Sequence, residues 1–431
     1  MKISFFTLGC KVNQYETQAL KNIFFEQGWS IVDNSSIADV YVVNSCTVTS
    51  LGDRKARQAI HRFKRLNPES IIVLTGCLAQ AFPNISEILP EADIITGTSN
   101  RSKLPSLITD FLNNGNRIID IKPHKNGDKF EDLTIKSFSD RTRAFIKIQD
   151  GCNRYCTYCI IPKARGFIRS KPIEKIRNEI ELIAKNGYRE IVLVGINLSS
   201  YGMDFKNVRL IDAVKTACSV NDIRRVRLSS LEPDLISQDD IIALSKEEKF
   251  CPQFHLSLQS GSNSVLKRMN RHYDTNTYKL IVDFIFNTFE NPSITTDIMV
   301  GFPGETEKEF EESIKFVKEI SFLKAHIFPY SIRPGTIAAK MNCQLLKSEK
   351  QKRVDIMEYA AKEARKQYLK TQLNTTQQVL FERQKSNIAT GYTKNYIKVK
   401  IKSSSNLCGQ IKYVKIKSCE DDCCTGEISN S

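Results

Sequence analysis

The first part of the chain alternates short apolar runs with longer stretches in which apolar residues recur every three or four positions. The apolar runs, residues 2–8, 39–44 and 70–75, have the length of buried strands. The stretches 14–27 and 53–66 have the spacing of amphipathic helices. Because strands that alternate with helices are typical of a parallel α/β sheet, the pattern predicts such a sheet here.

A polar segment separates this region from a second alternating pattern. Residues 113–140 are rich in Asn, Gly, Lys and Asp, which predicts a linker. Six further apolar runs then alternate with helical patterns. This rhythm predicts a partial (β/α)6 barrel with its active site at the carboxyl ends of the strands. The six runs are residues 144–148, 191–196, 226–228, 254–258, 294–300 and 326–330.

The last part of the chain changes from helical to β-prone. A charged stretch, residues 348–373, predicts one long helix. The short pieces VLFER, YIKVKI and IKYVKI follow it and predict a small all-β barrel. We therefore expect an α/β protein with an N-terminal sheet domain, a linker, a barrel-like core and a C-terminal β-barrel. Their predicted limits are residues 1–112, 113–140, 141–368 and 369–431.

The charge balance of the 431 residues favours an anionic partner. The chain has 63 Lys+Arg and 48 Asp+Glu, a net charge of +15, which suits nucleic acid better than a neutral metabolite. The alternative is a Lys-rich composition without functional meaning. No run approaches the roughly 18 apolar residues that span a membrane. The N-terminal apolar run is too short for a signal peptide, so we expect a cytoplasmic protein without a membrane partner.

Thirteen cysteines in a reducing compartment are not expected to form disulfides, which leaves buried residues or metal ligands. Cys152, Cys156 and Cys159, here named the loop triad, follow the apolar run FIKIQ. Three thiolates on one loop can ligate three irons of a 4Fe-4S cluster and leave the fourth iron open. The open iron can bind S-adenosylmethionine and pass an electron to its sulfonium, releasing a 5'-deoxyadenosyl radical. The alternatives are buried thiols or a zinc site, but zinc would want a fourth Cys or His nearby.

A second set, Cys10, Cys46 and Cys77, is here named the sheet triad. Each of these cysteines follows the end of a predicted strand. Loops at the carboxyl edge of a parallel sheet converge on one crevice, so the three thiolates could hold a second cluster with an open iron. Buried structural cysteines are the alternative. The other seven share no pattern, and only CEDDCC near the C-terminus could bind an adventitious metal; they are Cys218, Cys251, Cys343, Cys408, Cys419, Cys423 and Cys424.

At these residues the sequence resembles the radical-SAM methylthiotransferase family over essentially its whole length. The motifs occur in family order: TLGCKVNQYET, VVNSCTVT, VLTGCLAQ, KIQDGCNRYCTYCIIPKARG, LSLQSGS, IMVGFPGE and PYSIRPGT. The resemblance implies a radical-SAM 4Fe-4S cluster on the loop triad and an auxiliary 4Fe-4S cluster on the sheet triad. It also implies S-adenosylmethionine as a cofactor and a C-terminal barrel similar to an RNA-binding TRAM domain.

Within that family, GCKVNQYET, GINLSSYG and RLSSLEP look most like the branch that acts on N6-threonylcarbamoyladenosine beside the tRNA anticodon (A37). The resemblance implies a 2-methylthio product, tRNA as partner and an electron donor such as flavodoxin or ferredoxin; it does not identify the sulfur source. The alternatives are methylthiotransferases for isopentenyladenosine in tRNA or for an aspartate of a ribosomal protein. A non-catalytic iron-sulfur RNA-binding protein is the alternative outside the enzymes.

The resemblance also implies which loops line the S-adenosylmethionine site. Glycines at strand ends allow close approach of the backbone to a ligand, although they are also frequent in ordinary turns. The expected contacts are Gly195, Gln259, Ser260, Gly261, Asp297, Gly301 and Gly304.

Basic residues cluster around the loop triad. Residues 141–177 hold ten Lys+Arg against Asp150 and Glu174, and 10 − 2 = +8, so we expect this segment to face RNA unless the charges pair locally. Threonylcarbamoyladenosine carries a carboxylate, which calls for a cation in its pocket. The candidates are Lys163, Arg165 and Arg333, and the alternative for each is a contact with a backbone phosphate.

The two triads predict that anaerobically reconstituted protein holds two 4Fe-4S clusters, or about eight irons per chain. Triple replacement of either triad with Ala should leave about four irons, because each triad holds its own cluster. Iron and acid-labile sulfide analysis measures both values. A wild-type iron content equal to that of a single cluster would contradict the two-cluster hypothesis.

Overall fold

Three sheet systems follow one another along the chain in a computed structural model that describes residues 1–136, 142–420 and 422–429. A six-stranded parallel sheet comes first, two sheets that form an arc come second, and a closed five-stranded barrel comes last. The predicted fold class, an α/β protein with a partial barrel and a small C-terminal β-barrel, is confirmed. Within the described residues, no helix is both long and apolar enough to cross a membrane.

The N-terminal sheet has all its strands parallel, in the order β2-β1-β3-β4-β5-β6. Successive strand residues point to opposite faces, so Val42 packs with α1 and α5 while Val43 packs with α2. Both faces are therefore covered by helices. The elements are β1 (Lys2–Thr7), α1 (Lys11–Glu26), β2 (Ser30–Val32), β3 (Val40–Ser45), α2 (Ser50–Leu66), β4 (Ile71–Gly76), α3 (Cys77–Ala81), α4 (Ile85–Ile88), β5 (Ile94–Thr96), α5 (Leu104–Asn114) and β6 (Ile118–Asp120).

Part of the predicted linker belongs to ordered structure. Strand β6 pairs with β5 at the edge of the sheet. Leu133 and Ile135 are buried in the core of the following region. Residues 137–140 and Arg141 lie outside the described residues, and the predicted domain limits stay predictions.

The central region forms an arc of parallel strands in sequence order. Strands β7, β10 and β11 make one sheet and β12 to β15 make the next, with Ser229 between β11 and β12. All six predicted strands are present, the third split at Ser229. The elements are β7 (Arg143–Lys147), β8 (Gln149–Asp150), α6 (Ile161–Arg165), β9 (Arg169–Ser170), α7 (Ile173–Lys185), β10 (Glu190–Val194), α8 (Leu210–Ser219), β11 (Arg225–Leu228), β12 (Ser230–Leu231), α9 (Gln238–Ser245), β13 (Gln253–Leu256), α10 (Asn263–Arg268), α11 (Thr275–Thr288), β14 (Ser293–Val300), α12 (Glu307–Ile320), β15 (Lys324–Pro329) and α13 (Lys347–Lys370).

The C-terminal barrel closes in the order β16-β17-β18-β20-β19. It docks on the arc through two buried arginines of β11. Arg225 donates to the carbonyl oxygens of Gln378 and Tyr392, and Arg227 donates to that of Lys394 at 2.7 Å. The strands are β16 (Thr376–Lys385), β17 (Ile388–Thr393), β18 (Lys398–Lys402), β19 (Ile411–Glu420) and β20 (Cys423–Ile428).

One expectation about the cysteines is wrong. Cys419 and Cys424 form a disulfide, although a reducing compartment led us to expect none. The two residues are direct partners across the antiparallel pair β19 and β20, with their Cα atoms 4.0 Å apart. Strand register, which the sequence alone does not give, brings them together.

Candidate active site

The sheet triad lies at the carboxyl ends of three neighbouring strands. Cys10, Cys46 and Cys77 follow β1, β3 and β4, which are adjacent in the sheet. Gly9 has φ of +107°, and a Cβ atom there would lie 2.7 Å from the Cβ of Cys46. Only glycine permits this approach of the first cysteine loop to the second.

A second glycine allows the same close approach on the other side. Gly76, which precedes Cys77, has φ of +99°, and a Cβ atom there would lie 2.6 Å from the carbonyl oxygen of Ser45. Burial, together with the neighbouring thiolate of Cys77, raises the pKa of Cys46 to about 12. The three cysteine loops are therefore packed against one another.

The loop triad lies on the segment between β8 and α6. The N–H of Cys159 donates to the carbonyl of Cys156 at 2.9 Å, and the N–H of Cys152 donates to that of Gly166 at 3.0 Å, which curls the loop. Burial raises the pKa of Cys152 to about 11, and the neighbouring Cys156 thiolate acts in the same direction. The cysteines of the loop triad thus lie on one curled loop, close enough for their thiols to affect one another's pKa.

The loop triad borders a cavity with a volume of about 380 Å³. All three cysteines of the loop triad line it. Val48 and Thr49, which follow Cys46 in the sheet triad, line its other side. The fold thus brings the segment that follows Cys46 to the cavity of the loop triad, although Cys46 and Cys152 are far apart in the sequence.

The chemistry of these donors fits clusters better than a single ion. No three His, Cys, Asp or Glu side chains among the described residues are grouped closely enough to hold one metal ion. In a 4Fe-4S cluster each thiolate binds a different iron, so the ligands stand further apart than around zinc. Thiols whose pKa is raised by burial and by each other ionise together when they bind a positive metal centre, such as the irons of a cluster.

A buried ion network joins the N-terminal sheet to the central arc. Glu16 of α1 is 0 % exposed and lies 2.5 Å from Arg165, 2.7 Å from Lys147 and 3.2 Å from Arg101. Asp150 joins the network through Lys147 at 2.6 Å. Burial alone would raise the pKa of Glu16, but Arg101, Arg165 and Lys147 outweigh it and lower that pKa to about 2.

Each triad also receives a hydrogen bond from a buried arginine. The Nε of Arg165 donates to the Sγ of Cys77 at 3.2 Å. The Nη1 of Arg271 donates to the Sγ of Cys156 at 3.3 Å, and its Nη2 donates to Glu232. Such donors stabilise the thiolate form that an iron centre requires.

Two family models match the chain. The radical SAM superfamily matches residues 146–317, which hold the loop triad and most of the arc. The description "Uncharacterized protein family UPF0004" matches residues 2–97, which hold the sheet triad. Each model thus covers one of the two groups of cysteines.

Curated relatives match the chain from end to end. A protein of Bacillus subtilis named threonylcarbamoyladenosine tRNA methylthiotransferase MtaB is 40% identical over 96% of this chain and 93% of its own. The chain belongs to the radical-SAM methylthiotransferase family. A relative of the same name from Thermotoga maritima is 35% identical over 96% of this chain and 94% of its own. A Finegoldia magna protein named tRNA-2-methylthio-N(6)-dimethylallyladenosine synthase is 33% identical over 99% of this chain and 94% of its own.

A solved structure shares the fold of this methylthiotransferase at low identity. The radical S-adenosylmethionine methyltransferase TsrM of Kitasatospora setae is 12% identical, with a TM-score of 0.57. The match covers 78% of this chain and 74% of that one. It supports the arc of strands and carries no inference about substrate.

The residues predicted for S-adenosylmethionine in this methylthiotransferase divide into two groups. Gln259 and Asp297 line the cavity of the loop triad. Gln259 has a left-handed φ of +69°, which is uncommon in residues other than glycine. The others make contacts elsewhere or lie beside the cavity. Gly195 packs on Gln149, Ser260 and Gly261 pack on Ser313 of α12, Gly301 packs on Lys350, and Gly304 has open space around its Cα.

Several polar residues of the cavity were missed from the sequence. Asn197, Glu232 and Arg271 all line it. The Oδ1 of Asn197 is buried and has no hydrogen-bond partner in the described part of the chain, which suits a polar ligand. Asn197 and Glu232 lie in the motifs GINLSSYG and RLSSLEP, which were used only to choose the branch of the family. Arg271 lies in none of the motifs that the sequence analysis identified.

The structure separates the three cations predicted for the substrate. Arg165 is 0 % exposed and its guanidinium binds Glu16. Arg333 is also buried and lies 2.6 Å from Asp53. Lys163 is exposed, and its ammonium lies 5.2 Å from the centre of the Phe82 ring. Of the three, only Lys163 has its charge available at the surface.

Most of the basic cluster at residues 141–177 pairs locally. Arg141 lies outside the described residues. Seven of the other nine cations form ion pairs with carboxylates, so this segment contributes much less free charge to RNA than its composition suggested. The seven are Arg143, Lys147, Arg154, Arg165, Arg169, Lys171 and Lys175.

The Glu16 network predicts a large loss of stability in the variant Glu16→Gln. Removing one partner of a buried ion network leaves uncompensated charge and typically costs about 3–5 kcal/mol. Because the pKa of Glu16 is lowered from 4.5 to about 2, its contribution is complete above the unfolded value and is lost only as pH falls towards 2. Thermal unfolding should show the same deficit throughout about pH 5 to 8.

Glu69→Gln is the matched control, because Glu69 is exposed. It should unfold within about 0.5 kcal/mol of wild type. A Glu16→Gln protein as stable as this control would show that the network does not hold the two regions together.

Proposed function

We propose that this protein is a tRNA methylthiotransferase that adds a methylthio group to C2 of N6-threonylcarbamoyladenosine at A37, next to the anticodon. The single observation that carries the proposal is that the loop triad lines a cavity whose wall also includes Val48 and Thr49, just after Cys46 of the sheet triad. The printed names of relatives at 35–40% identity supply the base that the proposal specifies. Relatives named for dimethylallyladenosine follow at 33–34%.

The reaction explains why two triads should meet. The C2–H of adenine is neither acidic nor electrophilic enough for polar substitution, and a cavity that excludes water protects a radical from side reactions. When bound, a 4Fe-4S cluster with S-adenosylmethionine supplies the radical, and a second 4Fe-4S cluster supplies a place for the sulfur. The chain's own part is to hold both groups on opposite sides of the base.

Specific residues are proposed to perform that part. The loop triad holds one cluster and the sheet triad holds the other. Asn197, Gln259 and Asp297 bind the polar groups of S-adenosylmethionine, since they present amide and carboxylate groups to the cavity. Arg165 and Arg271 hold the thiolates of Cys77 and Cys156 in place through their N–H donors.

The remaining proposals concern the tRNA and the surroundings of the reaction. Lys163 follows Ile160 and Ile161, which line the cavity, so we assign it a contact with the tRNA at the cavity mouth. Arg333 acts indirectly by holding the loop of the sheet triad through Thr47 at 2.7 Å. The C-terminal barrel is proposed as a TRAM-like RNA-binding unit. We place the reaction in the cytoplasm, with flavodoxin or ferredoxin as the class of electron donor.

Replacing the sheet triad with Ala should separate the two half-reactions. Radical formation uses the loop triad alone, whereas sulfur transfer uses both triads. The variant should therefore still release 5'-deoxyadenosine from S-adenosylmethionine but form no methylthio product, as chromatography and mass spectrometry would measure. The control Cys343→Ser/Cys408→Ser changes two exposed cysteines and should keep both activities. Loss of 5'-deoxyadenosine release in a folded sheet-triad variant would refute this division of roles.

Substrate choice is tested with three tRNAs that differ only at A37. The wild type should methylthiolate threonylcarbamoyladenosine far faster than isopentenyladenosine or unmodified adenosine, because only the first carries a carboxylate and a hydroxyl. Nucleoside mass spectrometry after equal incubation measures the products. Equal yields from all three tRNAs would overturn the choice of base and leave the radical chemistry standing.

A further inference from the structure

A second cavity, of about 400 Å³, lies inside the arc. It is next to the cavity that the loop triad lines, which is here named the first cavity. Six Lys and Arg side chains line it, and among its described lining residues Asp422 is the single carboxylate. The two cavities adjoin at one contact. Asp297 lines the first, His255 lines the second, and the Nε2 of His255 lies 3.2 Å from the Oδ2 of Asp297.

Four of the six cations already have partners. Arg143 lies 2.8 Å from Glu382, Arg227 lies 3.0 Å from Glu190, and Lys398 lies 3.1 Å from Asp422. Arg365 donates to the carbonyl oxygen of Asp422 at 2.8 Å, a bond that accounts for part of its guanidinium. Arg143 and Arg365 thus link the arc to the C-terminal barrel, whereas the pair of Arg227 lies within the arc and that of Lys398 within the barrel.

Lys11 and Lys324 differ from the other four. Neither ammonium group has an ion-pair partner or a hydrogen-bond acceptor within residues 1–136, 142–420 and 422–429. Both residues are exposed, so a ligand in the cavity can reach them. Lys11 directly follows Cys10 of the sheet triad, which places this end of the cavity beside the proposed auxiliary cluster. Cations that face a polar cavity without partners attract an anionic ligand.

The two cations among the described residues that line the first cavity, Arg154 and Arg271, are already paired. Arg154 is bound by both carboxylate oxygens of Asp234, at 2.8 and 2.6 Å. Arg271 is bound to Glu232. Both guanidinium groups already face a carboxylate, and Lys163 at the cavity mouth is assigned to the tRNA, so we look for the cation that meets a substrate carboxylate in the second cavity.

We infer that the second cavity is the pocket for the N6 substituent of the base, and that Lys11 and Lys324 bind its carboxylate. The inference rests on the proposed function. C2 and the N6 substituent share the Watson–Crick edge of adenine, so a base that presents C2 to the triads also presents its substituent to the adjoining interior of the arc. His326, Gln253 and Thr295 supply hydrogen-bonding groups for the hydroxyl and the urea. An apolar substituent would instead leave two lysines desolvated and unpaired.

The test compares two synthetic anticodon stem-loops, one with threonylcarbamoyladenosine and one with its neutral methyl ester. The wild type should prefer the acid by about ten-fold to a hundred-fold in kcat/KM. Lys11→Gln and Lys324→Gln should each reduce this preference to a few-fold, while the rate with the ester stays near that of wild type. A general defect would slow both substrates equally.

Lys398→Gln is the matched control, because Lys398 lines the same cavity but is paired with Asp422. It should keep the wild-type preference. A second readout, independent of turnover, is the ratio of the two dissociation constants measured by fluorescence anisotropy with S-adenosylmethionine and no reductant. In each lysine variant, the ratio of dissociation constants should fall together with the preference in kcat/KM. Lys11→Gln could lose iron because Lys11 adjoins Cys10. In that case the result for Lys324→Gln decides the test, since Lys324 lies far along the chain from every cysteine proposed as a cluster ligand.

The outcomes separate this inference from the proposed function. A wild type that methylthiolates acid and ester equally would overturn the pocket while the function stands. A preference for the acid that survives both lysine substitutions would overturn it as well. A wild type that binds the acid through the lysines but forms no methylthio product would support the pocket and overturn the function.

Discussion

The ion pair between Glu16 and Arg165 is the contact on which the rest of the site depends. Glu16 lies in the helix that starts directly after Cys10, and Arg165 ends the short helix that follows Cys159. The same guanidinium also donates to Cys77. One buried pair therefore fixes the distance between the sheet that carries one triad and the arc that carries the other. A buried pair is costly to desolvate and is retained here with every carboxylate oxygen of Glu16 contacted by a cation.

This constraint explains the polar composition of the site. The two arginines that line the first cavity, Arg154 and Arg271, are each bound to a carboxylate of the protein. That commitment orders the walls and leaves the amide, carboxylate and thiol groups of the cavity for cofactors. The free positive charge lies in the adjoining cavity, at Lys11 and Lys324. The protein thus separates the charges that hold the site from the charges that the proposed substrate needs.

The sequence predicted the elements that depend on local patterns. Long apolar runs identified the central strands, because a strand buried on both faces is continuously apolar. Strands of three residues, such as β5 and β6, were not predicted because so short a run shows no periodicity of apolar residues. The disulfide escaped because it depends on strand register. The common location of the sheet triad was predicted from topology, since the carboxyl ends of parallel strands meet at one edge, whereas its role as a set of cluster ligands followed from the family resemblance.

The sequence could not predict which carboxylate pairs with which cation. Arg165 and Glu16 are 149 residues apart, and Arg333 and Asp53 are 280 residues apart. A count of basic residues near the loop triad shows a surplus but not which carboxylates the fold brings to it. Arg165 and Arg333 were predicted as substrate contacts because a substrate carboxylate calls for a cation, which does not show that each arginine already has a carboxylate of the protein as its partner. Lys11 and Lys324 carried no such signal, because each stands apart from the basic cluster in the sequence.

The central claim is that two iron-sulfur clusters face each other across one cavity, and their magnetic interaction tests it most directly. Electron paramagnetic resonance of the reconstituted, fully reduced protein reports whether two paramagnetic clusters lie close together. The account predicts a signal broadened by spin–spin coupling in the wild type, and a simple uncoupled signal when either triad is replaced with Ala. A wild-type spectrum equal to the sum of the two single-cluster spectra would contradict it.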